Sequence, residues 1–111
     1  MQQQSQKLKG FLEGCVLQIL SEKSCYSQEI VSILQSKGFS TVTDGTLFPL
    51  LLRLEKEELF VIEKVPSSNG PSRKYYSLSE KGMKELEVFK SDWIEFCKIM
   101  NKILERNETN E

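Results

Sequence analysis

Histidine is absent from the 111 residues, and the three cysteines, Cys15, Cys25 and Cys97, stand far apart with no CxxC pair. The two lacks remove the usual zinc frameworks and the Ser-His and Cys-His catalytic pairs. Three reduced thiols in apolar surroundings are a simpler reading of the cysteines than a redox role. No apolar run approaches the roughly 18 to 20 residues that cross a bilayer. The opening Met1-Gln2-Gln3-Gln4-Ser5-Gln6 also lacks the basic-then-apolar order of a signal peptide. Glu55, Glu57 and Glu58 crowd one charged helix end, where a solvated face explains them more simply than acid-base chemistry. The expectation is a soluble, cytoplasmic protein that is not an enzyme, with no cofactor, no metal and no membrane partner.

What is present is one ordinary globular core: 39% hydrophobic and 28% charged residues, with a net charge of −1. The charge is unevenly spread. Lys37, Arg53, Lys56, Lys64, Arg73 and Lys74 face five acidic residues between Lys37 and Tyr75, whereas from Ser79 onward eight acidic residues outnumber six basic ones. The middle of the chain can therefore present a basic face while the tail stays acidic.

Periodicity divides the chain into five elements. Leu8, Phe11, Leu12, Cys15, Val16, Ile19 and Leu20 recur three and four apart, the pattern of an amphipathic helix. Gly10 and Gly14 lie on it, and a close helix crossing would account for tolerating both. A second helix opens near Ser27 as N-cap and stops at Gly38. After an extended link, Phe39 to Val42, Thr43 or Asp44 caps a third helix with Leu47, Leu50, Leu51 and Leu54 on its apolar side. Pro49 falls in its first two turns. Two β-rich runs, Phe60–Val65 and Arg73–Leu78, flank a polar turn from Pro66 to Ser72 and read as a hairpin. From Ser79 a long helix follows, with Leu86, Phe89, Trp93, Phe96, Met100 and Ile103 spaced 3, 4, 3, 4 and 3. That is a heptad seam, on a rod of about 40 Å, too long to bury its stripe against so small a domain. Its surplus predicts a second copy across a two-fold axis.

Three helices, a hairpin and a long helix predict a mainly α fold with a small β-hairpin, a winged helix-turn-helix plus a long C-terminal dimerisation helix. The boundaries are 1–78 for the DNA-binding part and 79–111 for the dimerisation helix and a frayed tail. In that geometry the third helix enters the major groove. Thr46 and Arg53 offer a hydroxyl and a guanidinium from its outer side. Phe48 reads two ways, as a thymine-methyl contact or as a core residue. Arg53 does too, as a guanine contact or as an i,i+4 ion pair with Glu57. On the hairpin, Asn69, Gly70 and Pro71 shape the turn, while Arg73, Lys74 and Lys64 can reach phosphate or a minor groove.

The run Asp44-Gly45-Thr46-Leu47-Phe48-Pro49-Leu50-Leu51-Leu52-Arg53-Leu54-Glu55-Lys56 resembles the recognition-helix signature of PadR-like transcriptional regulators. Gly70-Pro71-Ser72-Arg73-Lys74-Tyr75-Tyr76-Ser77-Leu78-Ser79-Glu80-Lys81-Gly82 resembles their wing and the start of their last helix. The opening Leu8-Lys9-Gly10-Phe11-Leu12-Glu13-Gly14 fits as well. The single C-terminal helix is similar to the compact subgroup. The chain departs from the family pattern at Phe48, commonly Tyr, at Glu58, usually Gly, and at Ser27 and Gln28, often Gly and Tyr. The resemblance implies that Trp93, with Phe89 and Phe96, lines a pore between subunits and stacks on a planar aromatic effector. Packing alone is the simpler account of the same stripe.

Together these features predict a homodimeric, sequence-specific DNA-binding regulator, a repressor of a pseudo-palindromic operator, with Thr46, Phe48, Arg53, Lys64, Gly70, Arg73 and Lys74 on double-stranded DNA. Leu86, Phe89, Trp93, Phe96, Met100 and Ile103 are the expected dimer seam. The alternative is a winged-helix module that binds protein and not DNA, favoured by the near-neutral charge and by the lack of a phenolic hydroxyl at Phe48.

Overall fold

The structure, a computed structural model, describes the backbone of residues 2–105 and the side chains of residues 10–105. Leu8 of the expected apolar stripe and the expected frayed tail lie outside the described side chains. The elements run α1 (Gln2–Glu22), β1 (Cys25–Tyr26), α2 (Ser27–Ser36), α3 (Asp44–Lys56), β2 (Phe60–Ser67), β3 (Gly70–Leu78) and α4 (Glu80–Leu104). This is the predicted winged helix-turn-helix with a long last helix, and β1 is an addition. Two residues give no periodicity to read, and Cys25–Tyr26 becomes a strand only by pairing antiparallel with Tyr75 and Tyr76 of β3.

Leu12, Val16, Leu17 and Leu20 of α1, Ile30 and Leu34 of α2, and Leu47, Leu50, Leu51 and Leu54 of α3 converge in one core, closed by Leu59, Tyr76 and Leu86. The expected stripe of α1 splits. Leu12, Val16 and Leu20 enter the core, while Phe11 is 42% exposed and Cys15 and Ile19 are only half-buried. Gly14 lies under the Phe89 ring of α4, which occupies the space a Cβ would need, so here the close crossing is real. Gly10 has open space around it, and no crossing explains it.

Helix ends follow local chemistry. Tyr26, not Ser27, precedes α2 as the cap residue, and the Glu29 carboxylate accepts from its N–H at 3.1 Å. Gly38, at φ 125°, ends α2: its N–H donates to Gln35 and that of Phe39 to Leu34. The link to α3 is a tight turn, not an extended segment, with the Val42 N–H on the Phe39 carbonyl. Thr43 caps α3, its hydroxyl accepting from the Thr46 N–H at 3.4 Å. The same two-bond stop closes α3, Glu58 N–H to Glu55 and Leu59 N–H to Leu54, although the left-handed position (φ 66°) is held by Glu58.

The hairpin is tighter than expected. β2 and β3 pair from Phe60↔Leu78 to Val65↔Arg73, the register slips at Pro66, and Ser67↔Gly70 leaves a two-residue turn. Proline lacks the N–H a ladder uses, so the slip falls where it costs least. At the base, Ser79 locks three elements together. Its N–H donates to Leu59, its hydroxyl donates to Glu58 (2.8 Å), and the same oxygen accepts from Gly82 to cap α4 (3.0 Å). A Cβ on Gly82 would run into the Leu59 carbonyl.

Candidate nucleic-acid interface

With Leu47, Leu50, Leu51 and Leu54 buried, α3 turns Phe48, Pro49, Leu52, Arg53 and Lys56 outward. Phe48 is 56% exposed, which removes it from the core and leaves it on the outer face. Thr46 is half-buried, and its hydroxyl lies 3.3 Å from the capping hydroxyl of Thr43. Arg53 reaches two carboxylates at once, Glu57 one turn on at 3.1 Å and Glu13 of α1 at 3.0 Å. The Glu13 hydrogen bond leads the effects that raise the guanidinium pKa above its ordinary value, so Arg53 is charged at any working pH.

Strand alternation separates the cations of the hairpin. Lys64 and Lys74 are direct cross-strand partners on the face that carries the buried Tyr76. Lys74 turns to Glu55 of α3 (3.3 Å), which relieves the like-charge pairing and ties the wing to the third helix. Arg73 lies on the opposite face, its guanidinium carbon 4.4 Å from the centre of the Tyr26 ring. Gly70 opens β3 with nothing near its Cβ position, so no crowding demands a glycine there. Among the described residues Lys56, Lys64 and Arg73 have no carboxylate within ion-pairing distance, whereas Arg53 and Lys74 do. The structure thus brings Lys74 onto α3 and Arg73 onto β1, and it fastens Arg53 to α1.

Periodicity does not reveal Tyr26, Tyr75, Glu13 or Leu52 as members of this surface. Leu52 could have been found by laying α3 on a helical wheel. The others depend on contacts between elements distant in the chain.

On α4, Leu86 is 2% exposed and belongs to the chain's own core, which corrects its placement on a seam between chains. Phe89 is half-buried against Gly14 of the same chain. Trp93 (43% exposed) stacks on Phe89, centroids 6.4 Å apart and planes 5° apart, and meets Phe11 edge-on at 5.7 Å. Phe96, Ile99, Ile103 and Leu104 are exposed, and Met100 is half-buried. Between α1, α2 and α4 opens an apolar groove of about 1060 Å³, with Phe11, Cys15, Ile19, Phe89, Trp93 and Ile94 in its lining. Burial pushes the Cys15 thiol pKa up, favouring the protonated, unreactive form. No cluster of metal-ligating side chains occurs among the described residues, and no described helix is long and apolar enough to cross a membrane.

A helix-turn-helix, a basic hairpin and a C-terminal helical arm define the winged helix-turn-helix class. Residues 16–88 match the transcriptional regulator PadR-like family. The chain is 43% identical to a PadR-like transcriptional regulator of Bacillus cereus, with 90% of this chain and 97% of that one covered and a TM-score of 0.79. A PadR-like transcription factor from Bacteroides fragilis is 37% identical over 93% of this chain and 99% of that one, TM-score 0.79. A PadR family regulator from Eggerthella lenta is 30% identical over 96% and 93%, TM-score 0.83. The chain belongs to the PadR-like family of transcriptional regulators.

Proposed function

We propose that the chain is a homodimeric, sequence-specific DNA-binding repressor that acts in the cytoplasm on a pseudo-palindromic operator. The observation that carries this reading is the outer face of α3, with Phe48, Arg53 and Lys56, joined through Lys74–Glu55 to a hairpin whose Arg73 and Lys64 keep uncompensated charge. Phe48 and Leu52 offer apolar contact to thymine methyl groups, and Arg53 offers a fork for guanine once it leaves a carboxylate. Thr46 and Gly70 complete the proposed DNA surface at the two ends of the reading elements.

The bare apolar face of α4 beside an open groove supports pairing of two copies, because so much exposed hydrophobic surface marks an interface. Phe96, Met100 and Ile103, with Trp93, form the proposed seam. A two-fold axis then sets the recognition helices on half-sites about 34 Å apart.

A gel shift with DNA upstream of the chain's own gene, at low and physiological salt, tests the reading. Retardation that weakens in Arg73→Ala, with a salt slope lower by about 0.9 per lost phosphate contact, is expected. No retardation at either salt would leave the exposed Phe48 and Leu52 as a protein-docking surface instead.

The groove also suits a planar aromatic effector at Phe89 and Trp93, while Phe96, the third ring of the stripe, lies outside its lining. Such a ligand would change operator affinity only through different affinities for two spacings of the reading helices. Quenching of the lone tryptophan by planar aromatics is expected. A full panel without quenching would leave these rings as packing.

A further inference from the structure

Among the cations of the proposed interface, Arg73 is held in a way of its own. Arg53 and Lys74 sit on carboxylates, which offset their charge, although Lys74 also lies 5.7 Å from the Tyr76 ring, whereas Arg73 sits on an aromatic face with no carboxylate in reach among the described residues. Attraction to a ring quadrupole restrains a guanidinium without cancelling its charge. The ring belongs to Tyr26, which is fixed from three sides. Its backbone pairs with Tyr75 in the sheet, its N–H is bound by Glu29 at the head of α2, and its ring meets the Tyr75 ring at 5.3 Å. Arg73 lies two residues along β3 from Tyr75, on the same face. The contact therefore joins the wing to the first turn of the helix-turn-helix.

We propose that Tyr26 is a positioning residue for duplex binding, holding Arg73 as an ordered, uncompensated cation for a DNA phosphate. The inference rests on the DNA-binding reading above. Its physical content is preorganisation: an arginine free to rotate loses rotamer freedom when it binds, and one already seated on a ring loses less.

The test uses the full chain and a labelled mixed-sequence duplex, because a phosphate contact needs no operator. Anisotropy titrations at several low salt concentrations compare wild type with Tyr26→Leu, Tyr26→Phe, Arg73→Ala and the double variant Tyr26→Leu/Arg73→Ala. Tyr26→Leu is expected to bind about two- to fivefold more weakly for each wing. Tyr26→Phe, which keeps the π face, restores wild-type affinity, and the double variant binds no worse than Arg73→Ala. Circular dichroism follows the fold, and if the leucine variant melts early, Tyr26→Val, a strand former without a ring, takes its place. Tyr26→Leu binding like wild type, or losses that add in full, overturns the inference alone. A wild-type chain that leaves the duplex free at low salt sinks the DNA reading and the inference with it.

Discussion

Arg53 and Glu13, forty residues apart, meet at 3.0 Å and fasten the third helix to the first. Glu13 precedes Gly14, the residue on which Phe89 of α4 is seated. One stretch of α1 thus touches both the proposed reading helix and the helix proposed to join two copies.

Glu13→Gln keeps the shape and removes the charge. Because Arg53 is about half exposed, the loss of stability is expected to stay below about 1 kcal/mol. Duplex affinity should rise about two- to threefold, since one carboxylate fewer competes with DNA for the guanidinium. Melting curves and anisotropy check both. Weaker binding by the variant would mean that Glu13 aims the guanidinium and does not withhold it.

Glu58 occupies a left-handed position that a side chain enters at a cost of about 1 kcal/mol. Gly38 ends α2 with the same pair of hydrogen bonds and no such penalty. Glu58→Gly is expected to raise the stability by about 0.5 to 1 kcal/mol, or roughly 4 °C in Tm. A lower Tm would show that the Glu58 side chain contributes more than its backbone strain costs.

Gly10 and Gly14 should respond oppositely to alanine. Gly10→Ala meets open space and gains about 1 kcal/mol of helix propensity. Gly14→Ala must displace the Phe89 ring, unstacking Trp93, and is expected to destabilise by about 1 to 3 kcal/mol. Tryptophan emission reports the second event directly: a changed spectrum in Gly14→Ala and an unchanged one in Gly10→Ala.

Phe96 and Ile103 are 50% and 69% exposed on α4. Sedimentation at micromolar concentration is expected to find a dimer, and Phe96→Glu with Ile103→Glu to yield folded single chains. A wild-type chain that sediments as a monomer, with or without a DNA fragment, rules out the two-fold arrangement.

Much of the candidate surface was legible because its elements rest on local pattern. The third helix, the apolar side at Leu47, Leu50, Leu51 and Leu54, and the basic return strand of the hairpin follow from spacing, and capping chemistry narrowed the helix start to Thr43 or Asp44, of which the structure uses Thr43. Misreadings arose where one pattern serves two partners. A heptad spacing does not distinguish Leu86, buried in its own core, from Ile103, bare to solvent, because both satisfy the same 3.5-residue period.

Local pattern alone fixes the four helices, the hairpin and the residue types that can meet a polyanion, since these depend on neighbours within a turn or two, whereas β1, the cap of α2 and the tight end of the hairpin do not follow from it. Which cations of the candidate surface stay unpaired, among the described residues, is set by packing between elements. Arg53 is neutralised by a carboxylate from another helix, Lys74 by one from the helix beneath the wing, and Arg73 is left charged on a tyrosine. Those pairings link residues 40, 19 and 47 positions apart. No helical or strand period records such distances, because they are set by how whole elements pack.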